Sequence, residues 1–222
     1  LVAYKSYLGT ILSDYNEMVA TQQKSKKEND NWISMADLKK IVNKHKRSVK
    51  ELDLDKKDIW TKSDTQLYQM YMVGVLYTEY PPLRNDYSNM DIISETDFKK
   101  LKKKENNFLV IISRNKKYFS LSSYKTEKQY GDKIIEIDSK LNTIINKWLA
   151  HNNTGFFLIN SKNTSLSDNS LTKLLNKIFA SSKKKISSTL IRHIYLTEKY
   201  SNTQAQMQAK WATLFQHSNP FM

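Results

Sequence analysis

The spacing of hydrophobic residues changes twice along this chain of 222 residues, and that change limits the folds open to it. Between residues 108 and 137 the apolar residues form three short segments rich in β-branched and aromatic side chains, which is typical of strands. On either side they recur at intervals of three and four residues, which is typical of amphipathic helices. The sequence therefore predicts an α+β fold, mostly helical, with a small three-stranded antiparallel sheet at 108–113, 117–123 and 133–137.

Polar residues and prolines divide the helical part into segments. The stretch 22–31 has no apolar residue and indicates a linker, whereas Ser34 and Asp37 form a helix-capping pattern. Pro81 and Pro82 cannot continue a helix, so the helix that precedes them, with Ser63 as its expected cap, has to stop near residue 80. The helices predicted by spacing lie at about 4–19, 35–52, 63–80, 138–149, 170–179, 188–200 and 203–215.

The charge of the chain indicates a polyanionic partner. The formal net charge is +14, from 36 basic and 22 acidic residues. Such an excess favours nucleic acid, although alone it is only suggestive. Only four of the basic residues are arginines, at positions 47, 84, 114 and 192. Because arginine binds phosphate oxygens with two parallel hydrogen bonds and lysine does not, each of these positions is a candidate for phosphate binding.

Several other classes are disfavoured by composition. With no cysteine, the chain has neither a disulfide framework nor a thiolate metal site, and its four histidines are not spaced as ligands. The longest apolar cluster is 108–112, so no membrane-spanning segment and no membrane partner are expected. No cluster of acidic residues suggests a two-metal nuclease.

Four segments, in order along the chain, carry a resemblance to a known family. They are YPPLRNDY at 80–87, YKTEKQYG at 124–131, TLIRHIYLTE at 189–198 and LFQHS at 214–218. Together with the order of helices, small sheet and helices, they resemble the catalytic domain of tyrosine recombinases (phage integrases), over about residues 31–222. The amino-acid sequences of the first and third segments are most similar to those of integrases encoded by large DNA viruses and their satellites.

The resemblance implies a role for each segment. Arg84 and Arg192 match the two arginines that hold the phosphate, Lys125 matches the lysine that protonates the leaving oxygen, and His217 matches a late histidine or tryptophan. The chemistry suits these residue types, since metal-free phosphodiester cleavage needs cations on the non-bridging oxygens and an acid for the departing 5′-oxygen. The helix expected to open at Ser187 and Ser188 would also direct its N–H groups at the phosphate.

Further DNA contacts are expected from residues near these positions: Lys116, Lys117, Lys128 and Thr189.

The implied protein is a site-specific recombinase that acts through a 3′-phosphotyrosine intermediate. The resemblance implies no cofactor and no metal, double-stranded DNA as partner and a homotetramer on DNA. It places the protein wherever its target DNA lies, as a soluble intracellular protein. The implied domains are residues 1–24 as the last helix of a preceding DNA-binding domain, 25–31 as a linker and 32–222 as the catalytic domain.

Two positions depart from the family pattern. Thr189 stands where most members have a histidine or lysine, so a hydroxyl replaces a cation there. The nucleophilic tyrosine normally follows the late histidine by about nine residues, so it is expected beyond Met222, in a tail that the chain lacks.

Other interpretations remain open. At the level of residues, Arg84 could cap the helix before it, Lys128 could replace Lys125, and Arg192 could pair with Glu198 or Asp168. At the level of function, a type IB topoisomerase uses the same chemistry, and a non-catalytic DNA-binding module would fit the charge excess and Thr189.

Overall fold

The computed structural model describes residues 24–125, 128 and 131–199, and the chain divides into two units, Leu1–Trp32 and Ile33–Met222. The described part of the first unit contains helix α1, Lys26–Asn31. It starts with a capping box, in which Ser25 N–H donates to Glu28 Oε2 at 3.0 Å and Glu28 N–H donates to Ser25 Oγ at 3.3 Å. The stretch 25–31, interpreted as a linker, is therefore helical. The predicted helix at 4–19 lies outside the described residues.

The second unit alternates helices with one small sheet. Its elements, in chain order, are α2 Met35–Glu51, α3 Lys62–Thr78, β1 Asp91–Ser94, α4 Glu95–Lys100, β2 Phe108–Ser113, β3 Lys116–Leu121, β4 Lys133–Glu136, α5 Ser139–His151, α6 Asp168–Ile178, a 3₁₀ turn Ala180–Ser182 and α7 188–199.

Side-chain caps start the helices, largely as the sequence predicts. Ser34 Oγ accepts the Asp37 N–H at 3.0 Å and begins α2. The cap of α3 is Thr61 and not the expected Ser63, because Asp64 reaches back to the Thr61 N–H at 2.9 Å and closes a capping box there. Helix α3 ends at Thr78, before the two prolines that cannot continue it, as predicted.

The sheet confirms an α+β class, but the strand count and pairing differ from the prediction. The order is β1-β2-β3-β4, with β1 parallel to β2 and the other pairs antiparallel. The sheet is therefore four-stranded and mixed, and the expectation of three antiparallel strands is wrong. The additional strand β1 has four residues and is linked to β2 by α4, the kind of crossover that parallel strands require.

Helix α3 forms the centre of the core. It contacts α2, α5 and α6, and its second half is buried on all sides. Trp148 of α5 is fully buried and donates its indole N–H to the Phe157 carbonyl at 2.8 Å. Because α3 ends directly before the loop that carries Arg84, the core fixes the base of that loop.

Replacing Gly74 by alanine is expected to separate α2 from α3. A Cβ at Gly74 would lie 2.7 Å from Val42 Cγ2, and Val42 is a buried β-branched residue with few alternative rotamers. We expect a loss of about 1 to 3 kcal/mol in the free energy of unfolding. Urea titration measures it, and Val42→Ala in the same chain should recover part of the loss. A Gly74→Ala protein as stable as the wild type would contradict this close contact.

Candidate phosphate-binding cleft

A cleft of about 670 Å³ opens where the Arg84 loop, the chain after β3 and the start of α7 meet. Arg84, Lys125, Lys128 and Thr189 all line it, although they come from three separate parts of the sequence. The other lining side chains are mostly amides and hydroxyls. The cleft is therefore polar, and its lining cations outnumber its acids, which are Asp86 and Asp168.

The loop holds Arg84 by its peptide group. The Tyr77 hydroxyl donates to the Arg84 carbonyl, and the Arg84 N–H donates to Asp86 Oδ2 at 3.2 Å. Within the described residues, no hydrogen bond joins the Arg84 guanidinium to the carbonyls that end α3, so capping of that helix is not its role. The Arg84 guanidinium group lines the cleft instead.

Asp86 brings Arg84 and Arg192 into one electrostatic group. Burial raises the pKa of Asp86, and a backbone hydrogen bond from Arg84 and the charges of both arginines oppose that rise. Burial also lowers the pKa of Arg192, with a further contribution from the like charge of Arg84. Arg192 thus lies within electrostatic range of Arg84, although it does not itself line the cleft wall.

Asp86→Asn is expected to change how stability depends on pH. Because the pKa of Asp86 in the folded state is raised above 3.8, its stabilising contribution is present below that pH and is lost as pH rises through the folded pKa. The asparagine variant should therefore gain stability relative to wild type as the pH rises from the ordinary pKa of an aspartate through the raised pKa of Asp86. Unfolding by urea across this range measures the difference.

Asp97→Asn is the control with the opposite sign. Its hydrogen bond with Lys100 lowers the pKa of Asp97, so that carboxylate stabilises the fold above its ordinary pKa. A parallel pH response in the two variants would argue against a raised pKa of Asp86.

Asn107 joins the Arg84 loop to the segment that carries Lys125. This buried amide donates from Nδ2 to the Asp86 carbonyl at 2.9 Å. Its Oδ1 accepts the N–H groups of Ser122 at 3.1 Å and Ser123 at 2.9 Å. One side chain thereby sets the distance between the two cationic parts of the cleft. Sequence reasoning missed Asn107, since an asparagine before a strand carries no sign of a partner 21 residues away.

The start of α7 also faces the cleft. Ser187 Oγ accepts the Leu190 N–H at 3.2 Å, as the expected cap does. Ser188 Oγ donates to Asn85 Oδ1 at 2.8 Å, which fixes the helix start to the Arg84 loop. Thr189 is exposed and lines the cleft, so the start of α7 borders the same space as Lys125 and Lys128.

The structural alternatives for Arg192 are not observed. Glu198 Oε1 accepts the Met35 N–H at 2.8 Å, and Asp168 accepts a hydrogen bond from the Ser88 hydroxyl. In the part of the chain that the structure describes, Arg192 forms no ion pair with either carboxylate. Lys125 and Lys128 both line the cleft, so geometry leaves the choice between them open.

Lys117 does not have the position expected of a DNA-binding residue. Its residue surface is 3% exposed, and its Nζ donates to the Arg114 carbonyl at 2.6 Å and to Oδ1 of Asn142 and Asn146 at 2.8 and 2.5 Å. The ammonium group is therefore committed to the protein. Lys116 is exposed but lies at the end of β3 away from the cleft. His217 lies outside the described residues.

The lysine run at 99–104 is largely paired within the protein. Lys99, Lys100, Lys103 and Lys104 each lie within 3.2 Å of a carboxylate oxygen. This run therefore adds less to the positive surface than its sequence suggests.

Comparison with models of known protein families, with curated proteins and with solved structures found no match to this chain. Among the described residues, no three or more histidine, aspartate or glutamate side chains gather as metal ligands would. No described helix combines the length and the apolar character needed to cross a bilayer.

Proposed function

We propose that this chain cleaves and rejoins DNA by metal-free transesterification, as a site-specific recombinase of the tyrosine recombinase type. The observation that carries the proposal is the gathering of Arg84, Lys125 and the start of α7 around one cleft, with Arg192 within electrostatic range of Arg84. These residues were selected from separate sequence segments by the resemblance alone. Their proximity in space is an independent reason to consider them one site.

The cleft has groups suited to each part of the reaction. The guanidinium groups of Arg84 and Arg192 would hold the two non-bridging oxygens of the scissile phosphate, where negative charge grows during attack. The N–H groups at the start of α7 and the Thr189 hydroxyl would add hydrogen bonds to the same anion. A hydroxyl supplies no charge, so the arginines carry more of the charge stabilisation than in a site with a cation at that position.

The bond changes follow from these contacts. A tyrosine hydroxyl attacks phosphorus and gives its proton to solvent, the bond to the 5′-oxygen breaks, and Lys125 gives its proton to the departing oxygen. The product is a 3′-phosphotyrosine and a free 5′-hydroxyl. Attack by a second 5′-hydroxyl reverses the step: the proton of that hydroxyl returns to Lys125, and the released tyrosine takes a proton from solvent. No tyrosine among the described residues is assigned to this role.

The proposed partner is double-stranded DNA, and recombination between two duplexes would use four copies of the protein.

A suicide substrate tests the proposal. The protein that carries this chain is mixed with nicked duplex DNA, in EDTA, and denaturing electrophoresis is used to detect a covalent protein–DNA band. We expect a band in wild type and its loss in Arg192→Ala. A band that persists in Arg192→Ala would show that the residues assigned to the site are wrong.

Two other outcomes identify the alternatives. A covalent band together with relaxation of supercoiled plasmid that lacks any specific site would indicate a type IB topoisomerase. Salt-sensitive DNA binding without any band would indicate a non-catalytic DNA-binding module.

A further inference from the structure

A second concave surface, which we call the α2–α5 groove, lies between α2, α3 and α5 and encloses about 1010 Å³. The turn between β2 and β3 forms one of its walls. Its charged lining residues are Lys46, Lys50, Asp55, Arg114 and Lys147. Four cations and one acid give the groove an excess of positive charge.

The described part of the chain gives these cations no acidic partner. Among the described residues, no carboxylate lies within ion-pairing distance of Lys46, Lys50, Arg114 or Lys147, and Lys147 Nζ donates instead to the backbone carbonyl of Asp55. The lysine run at 99–104, by contrast, is mostly neutralised by neighbouring carboxylates. The positive potential of the α2–α5 groove is therefore available to a partner.

A hydrogen-bond network around Lys117 holds the Arg114 turn beside the groove. The Arg114 carbonyl accepts hydrogen bonds from Lys117 Nζ at 2.6 Å, from Asn142 Nδ2 at 3.1 Å and from Asn146 Nδ2 at 2.9 Å. Both amides in turn accept from Lys117 Nζ. Such a network fixes the backbone of the turn that carries the exposed Arg114 side chain. Less conformational entropy of the turn is therefore lost when Arg114 binds a ligand.

The groove is separate from the phosphate-binding cleft. Arg114 and Asn115 precede β3, whereas Ser123 and Lys125 follow it, so the two surfaces lie at opposite ends of that strand. A six-residue strand places its ends about 17 Å apart. A ligand in the cleft therefore does not by itself fill the groove.

We propose that the α2–α5 groove is a second DNA-binding surface, which holds the phosphate backbone of duplex DNA without reading its bases. Cations and neutral polar donors dominate backbone recognition, and the groove adds Asn115 and Thr143 to its cations. Its apolar lining residues Val49, Tyr68, Tyr71 and Ile144 are buried by the protein itself, whereas Leu149 is half-buried and Ala150 is exposed. Its exposed lining side chains are mainly cations and neutral polar groups, the residue types that bind phosphate oxygens, which favours DNA over an acidic peptide.

The test is the salt dependence of binding to a duplex of random sequence. The groove variant carries Lys50→Gln, Arg114→Gln and Lys147→Gln. The control variant carries Lys62→Gln, Lys162→Gln and Lys173→Gln, which remove the same charge from exposed lysines outside both surfaces.

We expect the slope of log K against log salt to fall by about 3 in the groove variant, since each phosphate contact contributes about 0.9. Its affinity should weaken on the order of 100-fold near about 0.1 M salt, and the control should keep the wild-type slope. If the groove variant does not fold, Lys46→Gln with Lys50→Gln, both exposed on α2, should lower the slope by about 2.

The same slope loss is expected in a chain that also carries Arg84→Gln and Arg192→Gln, because the groove binds DNA independently of cleavage. Equal slopes for the groove and control variants would overturn the proposal. Displacement of DNA from the Arg84→Gln, Arg192→Gln protein by polyglutamate at comparable charge concentration would also overturn it, in favour of an acidic peptide.

Discussion

Arg84→Ala is expected to reduce covalent adduct formation by about 100- to 1000-fold, the range observed when one preorganised donor to a developing anion is removed. The fold should survive the change, because the hydrogen bonds that hold the loop involve the Arg84 peptide group and not its side chain. Circular dichroism and the urea midpoint should therefore match wild type. Single-turnover adduct formation on nicked DNA measures the loss.

Arg47→Ala is the matched control for this variant. Arg47 is exposed on α2 and lines neither the cleft nor the α2–α5 groove, so its removal lowers the net charge equally without touching the proposed site. Arg84→Lys should fall between alanine and wild type, since lysine keeps the charge and loses the bidentate geometry. An Arg84→Ala protein as active as Arg47→Ala would rule out the assigned role of the cleft.

The double variant Arg84→Ala, Arg192→Ala tests whether the two arginines act on one phosphate. Residues that serve one transition state as a unit are strongly non-additive, so the double variant should lose far less than the product of the single losses. Independent effects that simply multiply would indicate that the arginines bind different groups.

Asn107→Ala is expected to have the second-largest effect, because it leaves the Asp86 carbonyl and the N–H groups of Ser122 and Ser123 without their partner. Asn107 is 6% exposed, so water does not readily replace those bonds. We expect a loss of about 2 to 4 kcal/mol in the free energy of unfolding. Adduct formation should also fall, because the Arg84 loop is released from the segment that carries Lys125.

Two controls separate a positioning role from simple destabilisation. Asn43→Ala removes an exposed amide on α2 that lines neither the cleft nor the α2–α5 groove, and it should have little effect on either measurement. Gly74→Ala lowers stability at the α2–α3 contact, away from the cleft. At a temperature where both are folded and with saturating DNA, Asn107→Ala should be slow and Gly74→Ala should cleave normally. Equal cleavage rates in Asn107→Ala and Gly74→Ala would mean that Asn107 stabilises the fold but does not position the cleft.

The sequence by itself determined most of the secondary structure of the second unit. The 3.6-residue period located α2, α3, α5, α6 and α7 to within a few residues, because each buries one face or more against the core. The caps Ser34 and Ser187 were also predicted from the sequence, since a cap is a contact between residues three positions apart. The short strands β2, β3 and β4 followed from β-branched composition.

Strand β1 was decided by the tertiary structure. It contains only four residues, too few for a clear alternating pattern, and its parallel partner Phe108–Ile111 begins 14 positions after Ser94. The pairing depends on the crossover through α4, which no local pattern describes.

The candidate site shows the same division between local and distant contacts. Sequence similarity selected Arg84, Lys125 and Arg192, but only the fold shows that Asp86 interacts electrostatically with both arginines and that Asn107 joins the two cationic segments. The sequence predicts Lys117 to be an exposed cation, but it is buried in the structure. Sequence reasoning missed this because its acceptors Asn142 and Asn146 lie 25 and 29 residues further along the chain. A side chain's chemical type is local information, whereas its partners are set by how distant segments pack, and only the tertiary structure contains them.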